Sequence, residues 1–287
     1  MEKQGPQGVK TMNQDKSIQK KISSMLPAGF LVLVLLPLLL LPLASVFIYA
    51  LRGGLRNFGA SLVNVDVLFA LRFSLIIAFA TAIINTVLGT YAAYVLSKTR
   101  FPGREQLGIV LNLPVAIPNV VVGTSLLLLW GPIGLFGQVL EPLGIQPMFT
   151  PLGVLLAHIF VTFPYMLGTI KPVLDDLETT YEEAAYTMGA GRWQAFRHIV
   201  FPALKGGLLT GALLTFAHSL GEFGATVMVS GNLRLRTQTA PLYIFSQFES
   251  GNIQAANSVA AVLAILSFIL FSLILFLAGR TGRKGAH

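Results

Sequence analysis

No cysteine occurs among the 287 residues, which excludes disulfides, thiolate metal ligation and a thiol nucleophile. Charge is scarce as well: Asp, Glu, Lys and Arg make up 11% of the chain, against about 25% in an average soluble domain. A surface facing water on every side cannot be covered with so little charge, so an ordinary soluble domain is excluded. Common catalytic signatures are missing. There is no G-x-x-x-x-G-K-[ST] loop to cradle nucleotide phosphates, no H-E-x-x-H and no G-x-S-x-G, and the four histidines are scattered. An intramembrane enzyme therefore finds no support in the residues.

What is present is apolar: 54% of the chain is hydrophobic, gathered in runs near the roughly 20 residues that cross a ~30 Å hydrocarbon layer as helix. Six spans are expected, over 29–50, 68–96, 107–129, 152–174, 204–229 and 258–277. The net charge of +8 acquires meaning from its placement. Lys3, Lys10, Lys16, Lys20 and Lys21 precede the first span, and Lys98, Arg100 and Arg104 follow the second. Lys171, Arg192, Arg197 and Lys205 lie between the fourth and fifth, and Arg280, Arg283 and Lys284 close the chain. All fifteen fall on one side, against Arg52, Arg56, Arg234 and Arg236 on the other, with Arg72 at a span end. The positive-inside rule then puts both termini in the cytoplasm and reads the cations as topology, not as a nucleic-acid surface. The expected organisation is a polar tail over 1–28, mobile or lying on the membrane surface, and a first helix with an external loop over 29–67. A five-helix core over 68–280 and a short tail over 281–287 complete it.

The cytoplasmic segment 175–202 is too polar to span and too long for a minimal turn. Thr180 followed by Glu183 fits a capping box, which predicts a helix beginning near Tyr181 and ended by Gly189 and Gly191. Ala184 and Ala185 would let another protein approach its backbone closely. Glu183-Ala184-Ala185, then Gly189, Ile199 and Pro202 at their spacing, resemble the EAA loop of type I ABC importer permeases, with Phe201 where Leu is usual. Lys98-Thr99-Arg100-Phe101-Pro102-Gly103 and Leu113-Pro114 to Pro118 extend the resemblance over about 71–280. It implies an all-α polytopic permease of six transmembrane helices in a bacterial inner membrane, whose loop is a coupling helix. It also implies the partners: two ATP-binding subunits, a second permease that is a homologous different chain, an external oxyanion-binding protein, and membrane lipid. No cofactor is bound by the chain itself; ATP and Mg belong to the partner subunits.

The fifth span carries Phe216-Ala217-His218-Ser219-Leu220-Gly221-Glu222-Phe223-Gly224-Ala225-Thr226. A carboxylate at that depth is costly unless paired or facing water. On a continuous helix His218 and Glu222 share a face. Glu222 is read as a structural or gating residue, bonded to His218 or to backbone, with a direct substrate contact as the alternative. A secondary transporter or channel using His218 and Glu222 as a proton relay is the competing class, and it requires no ATPase. His158 is read as a polar contact between helices. Asn85, Thr86, Ser125 and Thr226 could bond a passing oxyanion or their own backbone.

Leu220 to Ala225 and Ser230-Gly231-Asn232 resemble the sulfate and molybdate branch of the family. Thr237-Gln238-Thr239-Ala240-Pro241-Leu242 with Gln254-Ala255-Ala256-Asn257-Ser258 resembles its sulfate and thiosulfate members, leaving molybdate or tungstate as the alternative cargo. Arg234 and Arg236 could guide an oxyanion, grip the binding protein, or anchor a helix end.

Overall fold

A computed structural model describes residues 29–282; the expected tail over 1–28 and residues 283–287 lie outside the described residues. Among the described residues the chain is helical, without strands. The helices are α1 (Leu31–Leu51), α2 (Gly54–Val63), α3 (Val65–Lys98), α4 (Arg104–Ala116), α5 (Asn119–Trp130), α6 (Leu135–Leu140), α7 (Pro151–Asp176), α8 (Thr179–Thr187), α9 (Arg192–Leu220), α10 (Gly224–Val229), α11 (Ala240–Glu249) and α12 (Ile253–Gly282). Among the described residues six stretches are long and apolar enough to cross a membrane, the third of them over Asn119–Leu143 rather than the expected 107–129.

The centre is built from α3, α7 and α9. On α3 the buried residues Ala70, Phe73, Ile77, Thr81, Asn85, Gly89, Ala93 and Leu96 recur at the helical period, and Ile76, Phe79, Ile83, Val87 and Tyr91 are exposed on the opposite side. That apolar outer stripe suits lipid, where no hydrophobic force holds helices together and close van der Waals packing must do so. Glycines supply the closeness. A Cβ at Gly89 of α3 would lie 2.8 Å from Cγ of Met166, and one at Gly211 of α9 would lie 2.6 Å from its Sδ. Met166 of α7 thus fills the space left by both. Asn85 Nδ2 donates to the Ile159 carbonyl (3.1 Å) and to Thr162 Oγ1 (2.9 Å), fixing α3 against α7. Helices α11 and α12 flank this centre, and α1 packs outermost, on α12.

Two of the expected spans are not single helices. The third is divided into α4 and α5 by Ile117 and Pro118: proline lacks an N–H and drives the preceding residue into extended backbone, as Ile117 is (φ −98°, ψ 135°). The two halves go to different partners, α4 to α7 and α5 to α10. The fifth ends at Leu220, with Gly221, Glu222 and Phe223 outside regular helix before α10 resumes at Gly224. The last helix begins at Ile253, ahead of the expected 258.

Candidate functional site

Helix α8 starts at Thr179, with Glu178 as its N-cap in extended backbone and no side-chain cap. The Thr180–Glu183 capping box therefore does not form: the helix begins earlier than expected near Tyr181, placing Thr180 inside the first turn, where a hydroxyl cannot cap. Its far end follows the sequence. Gly189 takes φ +87°, a conformation only glycine adopts without strain, and the Gly189 and Ala190 N–H groups donate to the carbonyls of Tyr186 (3.0 Å) and Ala185 (2.9 Å). Gly191 does not end α8. It begins α9, its N–H bonded to Gln194 Oε1 at 2.8 Å.

The alanines divide. Ala184 is exposed beside Tyr181, Glu183 and Met188, whereas Ala185 is buried at 6% exposure. The surface offered outward is therefore Tyr181, Ala184 and Met188 at helical spacing, with Trp193 of α9 also exposed. Ile199 is half-buried and Pro202 exposed, in and just after a wide π turn at Phe196–Val200. Such a turn makes room ahead of a proline that offers no N–H and crowds the carbonyl before it. His198 bonds only the Gln194 carbonyl one turn back (2.9 Å).

The inner face of α8 carries a residue that motif reading passed over. Glu182 is 8% exposed and forms an ion pair at 2.8 Å with Lys98, the last residue of α3. Its spacing of three from the buried Ala185 is the signal that could have found it, since both fall on one helical face.

The second constellation surrounds the two helix breaks. Glu222 is 5% exposed, and its carboxylate accepts from Asn119 Nδ2, at the first residue of α5, at 2.7 Å and from the Ala225 N–H in the first turn of α10 at 2.8 Å. A negative charge there complements the positive ends of both half-helices. The halves touch closely: a Cβ at Gly224 would sit 2.9 Å from Asn119 Cβ, and one at Gly123 would sit 2.6 Å from the Ala225 carbonyl oxygen.

Glu222 does not pair with His218. The helix stops at Leu220, so the one-turn relation between them is lost, and the His218 ring instead stacks on Tyr165 (centroids 3.7 Å, 11° between planes). His158 of α7 meets Ser219 Oγ through Nδ1 (2.7 Å) and Thr226 Oγ1 through Nε2 (2.9 Å), and so holds the chain on both sides of the break. The polar contact between helices expected of His158 is present. Thr226 is committed to it. Thr86 and Ser125 bond the carbonyls of Ala82 (2.7 Å) and Val121 (2.9 Å) in their own helices.

Beyond α10 the chain closes a polar knot. Thr237 Oγ1 donates to the Ser230 carbonyl (2.6 Å), Gln238 Nε2 to Asn232 Oδ1 (2.9 Å), and Asn232 Nδ2 to Ser246 Oγ of α11 (2.7 Å). Arg234 and Arg236 are both exposed on it. Arg234 Nε donates to Asp66 Oδ1 at 2.6 Å, which tethers the knot to the start of α3 and raises the guanidinium's already high pKa through that hydrogen bond.

A family model described as binding-protein-dependent transport system inner membrane component matches residues 85–281. The chain is 36% identical over 247 residues to the sulfate transport system permease protein CysT of Escherichia coli, covering 86% of this chain and 89% of that one. It is 37% identical over 277 residues to the sulfate transport system permease protein CysW of Synechocystis, covering 96% and 99%. Among solved structures, a bacterial ABC transporter involved in the import of the acidic polysaccharide alginate matches with a TM-score of 0.71 over 97% of this chain and 100% of that one, at 16% identity. A bacterial alginate ABC transporter in complex with an alginate pentasaccharide-bound periplasmic protein gives 0.70 over 96% and 98%, at 14% identity. At such identities the structures speak to the fold alone.

Proposed function

We propose, for a chain that belongs to the family of binding-protein-dependent transport system inner membrane components, that it forms half of the membrane pore of an ATP-driven importer of sulfate or thiosulfate. It is a multi-pass inner-membrane protein with six membrane-spanning stretches and a permease subunit, not an enzyme. The observation that carries the reading is α8, a helix outside the apolar spans whose inner face is anchored and whose outer face, Tyr181, Glu183, Ala184 and Met188, is exposed. In a chain without a phosphate-binding loop, that face is where a separate ATPase docks. ATP and its Mg belong to that partner. A second permease completes the pore, and an external binding protein delivers the anion. Sulfate is favoured over molybdate because both relatives named above are sulfate permeases matched along most of their length.

In the cycle we envisage, closure of the ATPases draws α8 with it, and the breaks at Ile117–Pro118 and Gly221–Phe223 let the half-helices shift without unwinding long spans. Glu222, Asn119 and His158 hold that crossing together. No dedicated tight anion site is needed, since selection rests with the binding protein.

The test is hydrolysis in vesicles by the complex of both permeases, the ATPases and the binding protein. Sulfate-loaded binding protein is expected to stimulate ATP turnover and sulfate uptake, and Ala184→Arg, on the outward face, to abolish both with the chain still inserted. Stimulation by molybdate without sulfate would overturn the cargo; uptake without any ATPase would overturn the class.

The same reading puts α8 in the cytoplasm and the Arg234–Arg236 knot outside. Because the chain has no cysteine, single replacements report cleanly. A membrane-impermeant maleimide on intact cells is expected to label Arg236→Cys and to spare Glu183→Cys; the reverse pattern would invert the topology.

A further inference from the structure

Lys98 joins three elements at one point. It ends α3, its ammonium donates to the carbonyl of Leu177 just beyond α7 (3.1 Å), and it pairs with Glu182 of α8 at 2.8 Å. Both side chains are only 10% exposed. Exposed ion pairs exchange freely with water and hold little, but a pair this secluded keeps its geometry, because parting the charges strands each of them in apolar surroundings. Leu177, whose carbonyl Lys98 meets, packs on the core cluster of Ala93, Leu96, Leu174 and Val200, and Tyr94, close enough to feel the Glu182 charge, is set edge-on to Phe196 at 6.0 Å.

Helix α3 is suited to carry displacement. It has no internal proline and runs unbroken for 34 residues, about 50 Å at 1.5 Å per residue, whereas α7 contains Pro164 and Pro172 and the two neighbouring spans are divided. At its other end Asp66 holds Arg234, and Ser74 Oγ accepts from the Ala240 N–H at 2.7 Å. One rod thus touches α8 through a buried ion pair, and at its far end meets the knot through the buried Ser74–Ala240 bond and the exposed Asp66–Arg234 pair.

We infer that Lys98 and Glu182 are the positioning pair that transmits movement of α8 to α3, and through α3 to the face where the binding protein docks. Glu183 and Ala184 meet the ATPase; Glu182, their neighbour, passes the motion inward. The inference rests on the importer reading.

The test uses the reconstituted complex and reads sulfate taken up per ATP hydrolysed together with stimulation by loaded binding protein, neither of which a purely structural pair would move. Lys98→Met and Glu182→Gln are each expected to cut stimulation at least fivefold in complexes that still hydrolyse ATP. The exchange Lys98→Glu with Glu182→Lys re-forms the ion pair but not the bond to the Leu177 carbonyl, and is expected to restore part of the stimulation, above either single variant, as coupled residues do in a double-mutant cycle. Single variants with wild-type stimulation and yield, or an exchange no better than the singles, would overturn the inference. Should the single variants fail to assemble, Lys98→Cys with Glu182→Cys bridged by a short bifunctional maleimide keeps the question decidable. Coupling is expected with the bridge and not without it; coupling independent of the bridge sinks the proposal. A wild-type complex without sulfate-stimulated hydrolysis would count against the importer reading, separately from this pair.

Discussion

Glu222→Ala is expected to leave little assembled permease in the membrane, while Glu222→Gln is expected to assemble and to transport at a comparable rate. The carboxylate accepts from Asn119 Nδ2 at 2.7 Å and from the Ala225 N–H at 2.8 Å, at a site 5% exposed. Alanine leaves both donors buried and unpaired, each costing about 1–3 kcal/mol. Together they cost about 2–6 kcal/mol, a large share of the roughly 5–15 kcal/mol by which folded chains are stable. Glutamine keeps an acceptor for Ala225, and the Asn119 amide, turned over, accepts from the new NH₂, so shape and pairing survive with only the charge gone. The measurement is the yield of monodisperse complex and its melting temperature in detergent. An alanine variant as abundant and as stable as wild type would show that the break does not depend on this carboxylate. A glutamine variant that assembles normally but fails to transport would assign the charge itself a part in opening the pore.

Gly123→Ala is the second substitution with a large expected effect, and its sign opposes local propensity. Alanine in place of glycine inside a helix normally stabilises by about 0.8–1 kcal/mol. At Gly123 the new Cβ would fall 2.6 Å from the Ala225 carbonyl oxygen, 2.7 Å from its Cα and 3.0 Å from its carbonyl carbon. All three are backbone atoms, so no rotamer can swing clear, and α5 and α10 must separate. Overpacking of this kind costs about 1–3 kcal/mol, with the upper end expected where both sides are main chain. Gly108→Ala is the control: its Cβ would meet only Leu96 Cδ1, at 4.0 Å, and a small gain in stability is expected. Equal melting temperatures for the two variants would mean that the crossing of α5 and α10 is looser than these distances imply.

How far the chain could be read without its fold differs from element to element. That there are six apolar stretches was legible because crossing a lipid layer demands length and hydrophobicity, both properties of consecutive residues, although the third lies over Asn119–Leu143 rather than 107–129 and the fifth over Arg192–Leu220 rather than 204–229. Gly189 was legible as a helix stop because the constraint it meets, φ of +87°, is local. The breaks after Ala116 and Leu220 were not, although Pro118 and Gly221 mark them. Hydrophobicity runs straight through both, and a proline or glycine in a membrane span is compatible with an intact helix when neighbours satisfy its backbone. Joining 204–229 into one helix then created the His218–Glu222 pair, and the break dissolves it. The same limit applied on α8: spacing marked Glu183, Ala184 and Ala185 as a motif but could not say which of them faces inward.

Sequence alone determined that this chain lives in a membrane, that it has no phosphate-binding loop of its own, and that one polar loop bears a family's spacing. Those conclusions rest on composition and short-range pattern, which need no knowledge of what packs where. Tertiary structure decided the rest: that Glu222 joins Asn119 rather than His218, that His158 clasps both sides of a break, and that Glu182 turns inward to Lys98 of α3. Each of these joins residues far apart in the chain, and a buried polar group takes its partner from whichever helix packing brings within reach.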